Sequence, residues 1–227
     1  MADLEDTRLV DGDLRLRPPR VDEAELYARW WADKETLFGF AAEPRAAAEI
    51  RAAFPEMEAE ARDIGHWIEF VIEAQSLPAK HAKGARRETA EDWSPVVEGH
   101  SGKDTESAKS CREGWRAVGS IWLSHWDLDA RTCELNILIG EPEMRGQGLA
   151  RRAIRLLCGW AFRRMDLRRI YLCPRDDHIP AQRSYAGAGA RMGEVREEVV
   201  TWRGETVCFR EMYFERSDFE PGATPSL

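Results

Sequence analysis

Residues 134–157 read ELNILIGEPEMRGQGLARRAIRLL, and this stretch is the most informative in the chain. An alternating strand leads through a turn containing Gly146 and Gly148 into an amphipathic helix, predicted over about residues 148–164. The two glycines let backbone N–H groups turn toward one point, and the start of the helix adds unpaired N–H groups and the positive end of its dipole. The combination predicts an anion site suited to a pyrophosphate. A glycine-rich turn without a ligand is the alternative.

The sequence on either side of this unit predicts further strands and helices. Alternating or β-branched runs predict strands at residues 14–16, 66–73, 116–124, 132–139, 169–173, 195–202 and 205–214. Helices are predicted at 21–35 with Asp22 as the cap, at 44–62, where Pro55 leaves one or two helices open, and at 179–188. The last two strands flank Arg203-Gly204 and form a hairpin. The alternation predicts a mixed α/β sheet of about seven strands.

The composition limits the classes of partner. The chain of 227 residues has 33 Lys and Arg against 41 Asp and Glu, a net charge of −8. Such a protein is a poor non-specific ligand for nucleic acid, and its charge favours cationic or amine-bearing partners. The cysteines show no C-x-x-C and no histidine at zinc spacing, so we expect reduced thiols and no metal site. No signal peptide or membrane span is recognisable, and we expect a cytoplasmic protein that binds no membrane.

The domain organisation is expected to be simple. We predict one domain over residues 13–216, between an N-terminal tail (1–12) and a C-terminal tail (217–227). Residues 79–115 interrupt it between the second and third predicted strands with charged residues of both signs, Gly, Ser and Pro, and few large apolar residues. This composition favours a disordered insertion, and a substrate lid is the alternative.

Two common nucleotide motifs do not fit the glycine turn. A Walker loop needs Lys-Ser or Lys-Thr after its last glycine, and the dinucleotide fingerprint needs a small residue where Arg151 stands. The pattern that fits is R-x-x-G-x-A followed by a helix, formed by Arg145, Gly148 and Ala150. In these residues the sequence resembles the GNAT superfamily of acyl-CoA-dependent N-acyltransferases, whose pyrophosphate loop reads Q/R-x-x-G-x-G/A.

A second motif strengthens the resemblance. The family's next element often reads N-x-x-A-x-x-x-Y-x-x-x-G-F, and it stands in register with His178, Ala181, Tyr185, Gly189 and Ala190. His178 replaces the Asn and Ala190 replaces the Phe. The opening DLRLRPPRVDEAELYARWW and the strand VGSIWL look like the ribosomal-protein N-terminal acetyltransferase (RimJ/RimL-like) branch.

The resemblance implies a GNAT-like fold with a central, twisted, mostly antiparallel sheet flanked by helices. The sheet would splay between its fourth and fifth strands, 132–139 and 169–173. Acetyl-CoA would lie in this cleft as co-substrate, with its pantetheine arm along the edge of the fourth strand. The implied cofactor-binding residues are Asn136, Ile137, Leu138, Ile139, Arg145, Gly146, Gln147, Gly148, Leu149, Ala150 and His178. For Arg151, Arg152 and Arg155, contact with the cofactor's 3′-phosphate and a solvated helix face are both open.

The implied reaction is acetyl transfer to a primary amine on a protein N-terminus, amino sugar, polyamine or amine antibiotic, by a monomer or homodimer. An alkyl ammonium has a pKa near 10.4, so a base must take its proton. Alternation puts Glu134 and Asn136 on one strand face and Cys133, Leu135 and Ile137 on the other. We therefore predict Glu134 as general base, with an ordinary solvent-facing glutamate as the alternative.

Tyr185 matches the family's general acid, and a packing tyrosine is the alternative. A cysteine nucleophile at Cys133 or Cys173 is disfavoured, because both lie in strand runs where a buried thiol is ordinary. Two other functions stay open: a catalytically silent acyl-CoA-binding regulatory domain, and an interaction scaffold that uses residues 79–115.

Overall fold

The computed structural model describes residues 7–43, 45–60, 62–63, 66–75, 114–200 and 204–220. The predicted insertion lies outside the described residues up to position 113, and so does the turn residue Arg203. Trp115, the last residue of the predicted insertion, is the first residue of a strand.

The described strands form one nine-stranded sheet. Their order is β1-β2-β4-β5-β6-β7-β9-β8, with β3 paired to β4 beside this row. Every pairing is antiparallel except the parallel one between β6 and β7. The bounds are β1 Leu9–Asp11, β2 Leu14–Arg17, β3 Arg62–Asp63, β4 Trp67–Gln75, β5 Trp115–Asp127, β6 Thr132–Ile139, β7 Arg169–Leu172, β8 Arg191–Val200 and β9 Glu205–Glu215.

The predicted mixed, mostly antiparallel sheet is confirmed, and so is the closing hairpin, in which Val200 of β8 opposes Glu205 of β9. The short strands β1 and β3 were not predicted. β1 falls inside the stretch assigned to an N-terminal tail. Its Leu9 is fully buried and faces Leu16 of β2, and this burial holds the segment on the sheet edge.

The described helices are α1 Ala24–Trp30, α2 Lys34–Gly39, α3 Ala47–Glu60, α4 Leu149–Arg164 and α5 Ile179–Gly187. The single helix predicted over 21–35 is wrong. Val21–Glu23 is a 3-10 turn, α1 ends at Trp30, and Asp33 starts α2 by accepting the N–H of Thr36. Asp33, rather than Asp22, is thus the side-chain cap. Pro55 lies inside α3, which stays one helix. No described helix has the length and apolar character needed to cross a membrane.

Helices cover both faces of the sheet. On one face α4 packs its buried stripe, including Ile154 and Leu157, against strand residues such as Phe70 and Ile121. On the other face Tyr27, Trp30 and Phe54 of α1 and α3 pack against Val71 and Trp122. Trp30 is therefore a core residue.

The sheet opens between β6 and β7. The two strands pair only where Thr132, Cys133 and Glu134 face Arg169, Ile170 and Tyr171. Beyond Glu134, β6 continues on β5 up to Ile139, while Leu172 of β7 pairs with Met212 of β9. This opening is the predicted splay between the strands at 132–139 and 169–173.

The carboxyl end of β6 is held by a close approach to α1. A Cβ added at Gly140 would overlap the indole ring of Trp30, so only glycine fits there. The Trp30 Nε1–H donates to Glu141 Oε1 over 2.9 Å, and this buried carboxylate also pairs with Arg29 and Arg116. These contacts fix the point at which the chain leaves the sheet.

Gly140→Ala should therefore destabilise the fold by about 1–3 kcal/mol, because the added methyl must displace a packed indole. Urea unfolding of the purified variant measures this change. Gly187→Ala is the matched control, since its Cβ would meet only the movable Arg151 side chain. Equal stability of both variants and the parent would contradict the packing described at Gly140.

Candidate active site

The glycine turn forms one wall of a cavity. A 3-10 turn at Pro142–Met144 follows β6, and then Gly146 and Gly148 adopt φ of 72° and 81°, in the left-handed region that favours glycine. The Arg152 backbone N–H donates to the Gly148 carbonyl over 3.3 Å, which is the first hydrogen bond of the helix α4. The N–H groups of residues 149–151 thus lie in the first turn of α4, which an α-helix leaves without intrahelical acceptors.

The cavity beside this turn measures about 340 Å³. β6, the turn and α5 supply most of its lining, and α2 closes one side. Of the predicted cofactor residues, it brings together Ile137, Leu138, Ile139, Arg145, Gly146, Gly148, Leu149, Ala150 and His178. Two predicted residues are not in this lining. Asn136 lines a neighbouring cavity, and exposed Gln147 donates its side-chain amide to the Glu143 carbonyl over 2.6 Å.

Arg145 is engaged by protein groups. Its Nε donates to the Ile139 carbonyl over 2.9 Å, and its two terminal nitrogens pair with Asp33 at 2.8 Å and Glu35 at 2.6 Å. The guanidinium therefore ties the turn to the start of α2, and two carboxylates already compensate its charge.

The three arginines at the start of α4 have different surroundings. Arg152 pairs with Asp11 and Asp13, and Arg155 donates to the Ala188 carbonyl over 3.0 Å. Arg151 is exposed and lines the cavity. Of these three cations, Arg151 is the one placed to meet an anion there.

A second cavity of about 400 Å³ adjoins the first where β6 and β7 separate. Both are lined by Phe40, Ile137, His178, Ala181 and Tyr185. Glu134 and Asn136 line the second cavity as well. The predicted base Glu134 and the predicted acid Tyr185 therefore border one space, although they are far apart in sequence.

Glu134 is the last residue of β6 that pairs with β7, at the point where the two strands begin to separate. As the alternation predicted, Glu134 and Asn136 are half-buried on one face, while Cys133, Leu135 and Ile137 are buried on the other. The Glu134 side chain is 18% exposed, and its Oε2 lies 3.0 Å from Nδ1 of His125. Burial raises the pKa of Glu134 above its ordinary range, which suits a carboxylate that must accept a proton near neutral pH.

Tyr185 packs partly against the core. Burial raises the pKa of its phenol, so the hydroxyl stays protonated and can donate a proton. Burial also raises the pKa of Cys133 and brings that of Cys173 to about 12. Neither sulfur is a thiolate at neutral pH, which argues against a cysteine nucleophile.

His178 borders both cavities at the start of α5. Its ring lies edge-on to Phe38 with centroids 5.6 Å apart, and burial lowers the pKa of the imidazole. A neutral His178 at pH 7 keeps one donor and one acceptor nitrogen, as the amide of the expected Asn would.

Sequence reasoning missed the far wall of the second cavity. That wall holds His125 from β5, Tyr171 from β7, and Arg196 and Glu198 from β8. Phe40 stacks on Trp122 with centroids 5.4 Å apart, and Trp122 stacks on Trp67 at 5.8 Å. No local pattern marks the residues of β5, β7 and β8 in this wall, because the order of the strands in the sheet brings them together. Within the described ranges, no group of His, Cys, Asp or Glu is arranged to hold a metal ion.

Comparison with known proteins finds a family whose sequences resemble this chain. The sequence profile of the family described as "Acetyltransferase (GNAT) domain" matches residues 13–191, which is most of the chain. No curated protein matches the sequence at a significant level.

Solved structures share the fold at low sequence identity. A spermidine N-acetyltransferase from Vibrio cholerae, in complex with CoA and spermine, has a TM-score of 0.65 at 17% identity, covering 92% of this chain and 99% of that one. The aminoglycoside acetyltransferase AAC(6')-Ib, in complex with coenzyme A, has a TM-score of 0.62 at 13% identity, covering 93% and 99%. The microcin C7 self-immunity acetyltransferase MccE, with acetyl-CoA and AMP, has a TM-score of 0.62 at 11% identity, covering 90% and 93%.

Proposed function

The chain belongs to the GNAT acetyltransferase family, and we propose that it transfers the acetyl group of acetyl-CoA to a cationic primary amine. The observation that carries this proposal is the shared cavity of Glu134 and Tyr185, which adjoins the glycine-turn cavity where β6 and β7 part. A base, an acid and an anion-binding turn thus surround one continuous space.

In this proposal the cofactor occupies the first cavity. Its pyrophosphate lies against the N–H groups of residues 146–151, supported by the helix dipole of α4 and by the Arg151 side chain. Its pantetheine arm follows residues 135–139 of β6, whose edge toward β7 has no strand partner among the described residues. The Arg145 guanidinium holds the Ile139 carbonyl and acts as a structural tie.

The charge around the second cavity favours a cationic acceptor. Arg196 is compensated by Glu211 at 2.6 Å. Glu198 has no ion-pair partner within the part of the chain that the structure describes. Glu134 and Glu198 therefore leave the space with an excess of negative charge, in keeping with the chain's net charge of −8. The shared fold with spermidine and aminoglycoside acetyltransferases agrees with an amine acceptor.

The proposed transfer proceeds without an acyl-enzyme. Glu134 takes a proton from the bound ammonium, and the neutral amine attacks the thioester carbonyl, whose oxygen a β6 backbone N–H polarises. This attack forms the C–N bond and the tetrahedral intermediate, and the C–S bond breaks when that intermediate collapses. Tyr185 gives its phenolic proton to the departing thiolate of CoA. The attacking nitrogen releases its second proton to solvent, which also returns a proton to Tyr185 and removes one from Glu134, so that one proton is released overall.

Gly148→Val should weaken acetyl-CoA binding at least tenfold, because a β-branched residue is strained at φ of 81° and its side chain would enter the proposed phosphate site. Calorimetric titration with acetyl-CoA measures the loss, with NADH as a ligand that should not bind. Gly12→Val is the matched control, with positive φ in a turn outside the cavity. Parent-like affinity in Gly148→Val would contradict the assignment of the turn.

Tyr185→Phe should lower kcat about 100-fold or more, because the thiolate loses its proton donor, while the acetyl-CoA dissociation constant stays unchanged. Steady-state kinetics with spermidine as the probe amine, together with calorimetry, measures the two quantities. Tyr213→Phe, on β9 outside both cavities, is the control and should keep parent kcat. Undiminished turnover in Tyr185→Phe would remove this residue from the mechanism.

Glu198→Gln should raise KM for spermidine about two- to five-fold with kcat nearly unchanged, the size expected for loss of one exposed ion pair. Glu197→Gln is the control, because adjacent strand residues point to opposite sides of the sheet. An unchanged KM in Glu198→Gln, or an equal rise in Glu197→Gln, would show that Glu198 does not contact the acceptor.

A further inference from the structure

His125 is placed beside Glu134 by an irregularity in β5. Ser124 opposes Glu134 and Asp127 opposes Thr132, so the β5–β6 register shifts across His125 and Trp126. His125 itself has φ of 48°, in the left-handed region. Regular alternation would point His125 to the face opposite Ser124, and a β-bulge re-aims such a side chain. The ring therefore reaches the same face as Glu134.

The re-aimed imidazole completes a chain of polar contacts. Its Nδ1 lies 3.0 Å from Glu134 Oε2 and 3.1 Å from Ser124 Oγ. The Asn136 side-chain amide in turn donates to Ser124 Oγ over 3.3 Å. The 3.0 Å separation places an Nδ1–H, which is present in one neutral tautomer and in the imidazolium, within hydrogen-bond distance of the Glu134 carboxylate.

We propose that His125 is a positioning residue for the general base: its Nδ1–H holds one oxygen of Glu134 and leaves the other to take the proton of the acceptor ammonium. This inference rests on the proposed function, in which Glu134 is the base. The bulge is then a device that brings a hydrogen-bond donor to the catalytic carboxylate from a neighbouring strand.

The charged groups around Glu134 determine in which direction its pKa, and with it the pH dependence of activity, changes when His125 is removed. The titratable or charged groups that face this cavity, apart from Glu134, are His125, Tyr171, Cys173, His178, Tyr185, Arg196 and Glu198. Burial and Glu198 raise the pKa of Glu134, and His125 and Arg196 lower it. Without the His125 contact, the pKa of Glu134 rises further. The ionised fraction at a given pH then falls, so activity needs a higher pH.

Two substitutions separate the donor from the backbone conformation. His125→Gly accepts positive φ but removes the N–H, whereas His125→Asn also tolerates the left-handed region and keeps an N–H donor on its side-chain amide. His66→Gly, at an exposed turn before β4, controls for loss of a histidine elsewhere.

The measurement is kcat/KM for spermidine from pH 5 to 9 at saturating acetyl-CoA. We expect the acid limb of His125→Gly to move to higher pH by about one unit, a tenfold loss of kcat/KM below the limb, as for one charge-assisted hydrogen bond. The high-pH plateau and the acetyl-CoA affinity should stay within about threefold of the parent values. His125→Asn and His66→Gly should keep the parent limb.

A parent-like pH profile in His125→Gly would overturn the inference, and so would a loss that is equal at every pH. A shifted limb in His125→Asn would overturn it as well, because the N–H is kept there. Glu134→Gln distinguishes failure of the proposed function: parent-like turnover in that variant would refute Glu134 as the base. An inactive Glu134→Gln with an unaltered His125→Gly would refute the role of His125 alone.

Discussion

The parallel pairing of β6 with β7 covers only three residue pairs, and the geometry of the site depends on this short contact. β7 ends at Leu172, shortly before Pro174, which has no N–H to extend a ladder. β6 meanwhile continues on β5 to Ile139. A wedge-shaped gap results inside an otherwise continuous sheet. Both cavities lie at that gap. Residues of the glycine turn line the first cavity, and residues of α5 line both.

Polar ties hold the long side of the gap in place. At the end of β6, the buried Glu141 carboxylate accepts a hydrogen bond from the Trp30 indole N–H and forms ion pairs with two arginines. A few residues later, Arg145 bonds the Ile139 carbonyl and the carboxylates that start α2. The turn between strand and helix is thus fixed to α1 and to the start of α2. Residues 146 and 148–151 line the cavity, and the N–H groups of residues 149–151 lie in the first helical turn, which lacks intrahelical acceptors, as the proposed anion site requires.

The features readable from the sequence are those that local pattern determines. The unit over residues 134–157 and the face of Glu134 follow from alternation and glycine placement, and the structure has them as predicted. The break between α1 and α2 was missed, because the apolar spacing continues across Trp31, whereas α1 ends at Trp30 and Asp33 caps the start of α2. His125 and Glu198 were missed because a bulge and the strand order, neither visible in a local window, bring them to Glu134.

A crystal structure of the chain with CoA tests the central claim, that the gap between β6 and β7 is the cofactor site. We expect pantetheine amides within hydrogen-bond distance of the backbone of residues 135–139. We also expect pyrophosphate oxygens against the N–H groups of residues 146–151 and the CoA sulfur beside the Tyr185 hydroxyl. CoA bound at another surface, with the β6 edge and the glycine turn unoccupied, would contradict it.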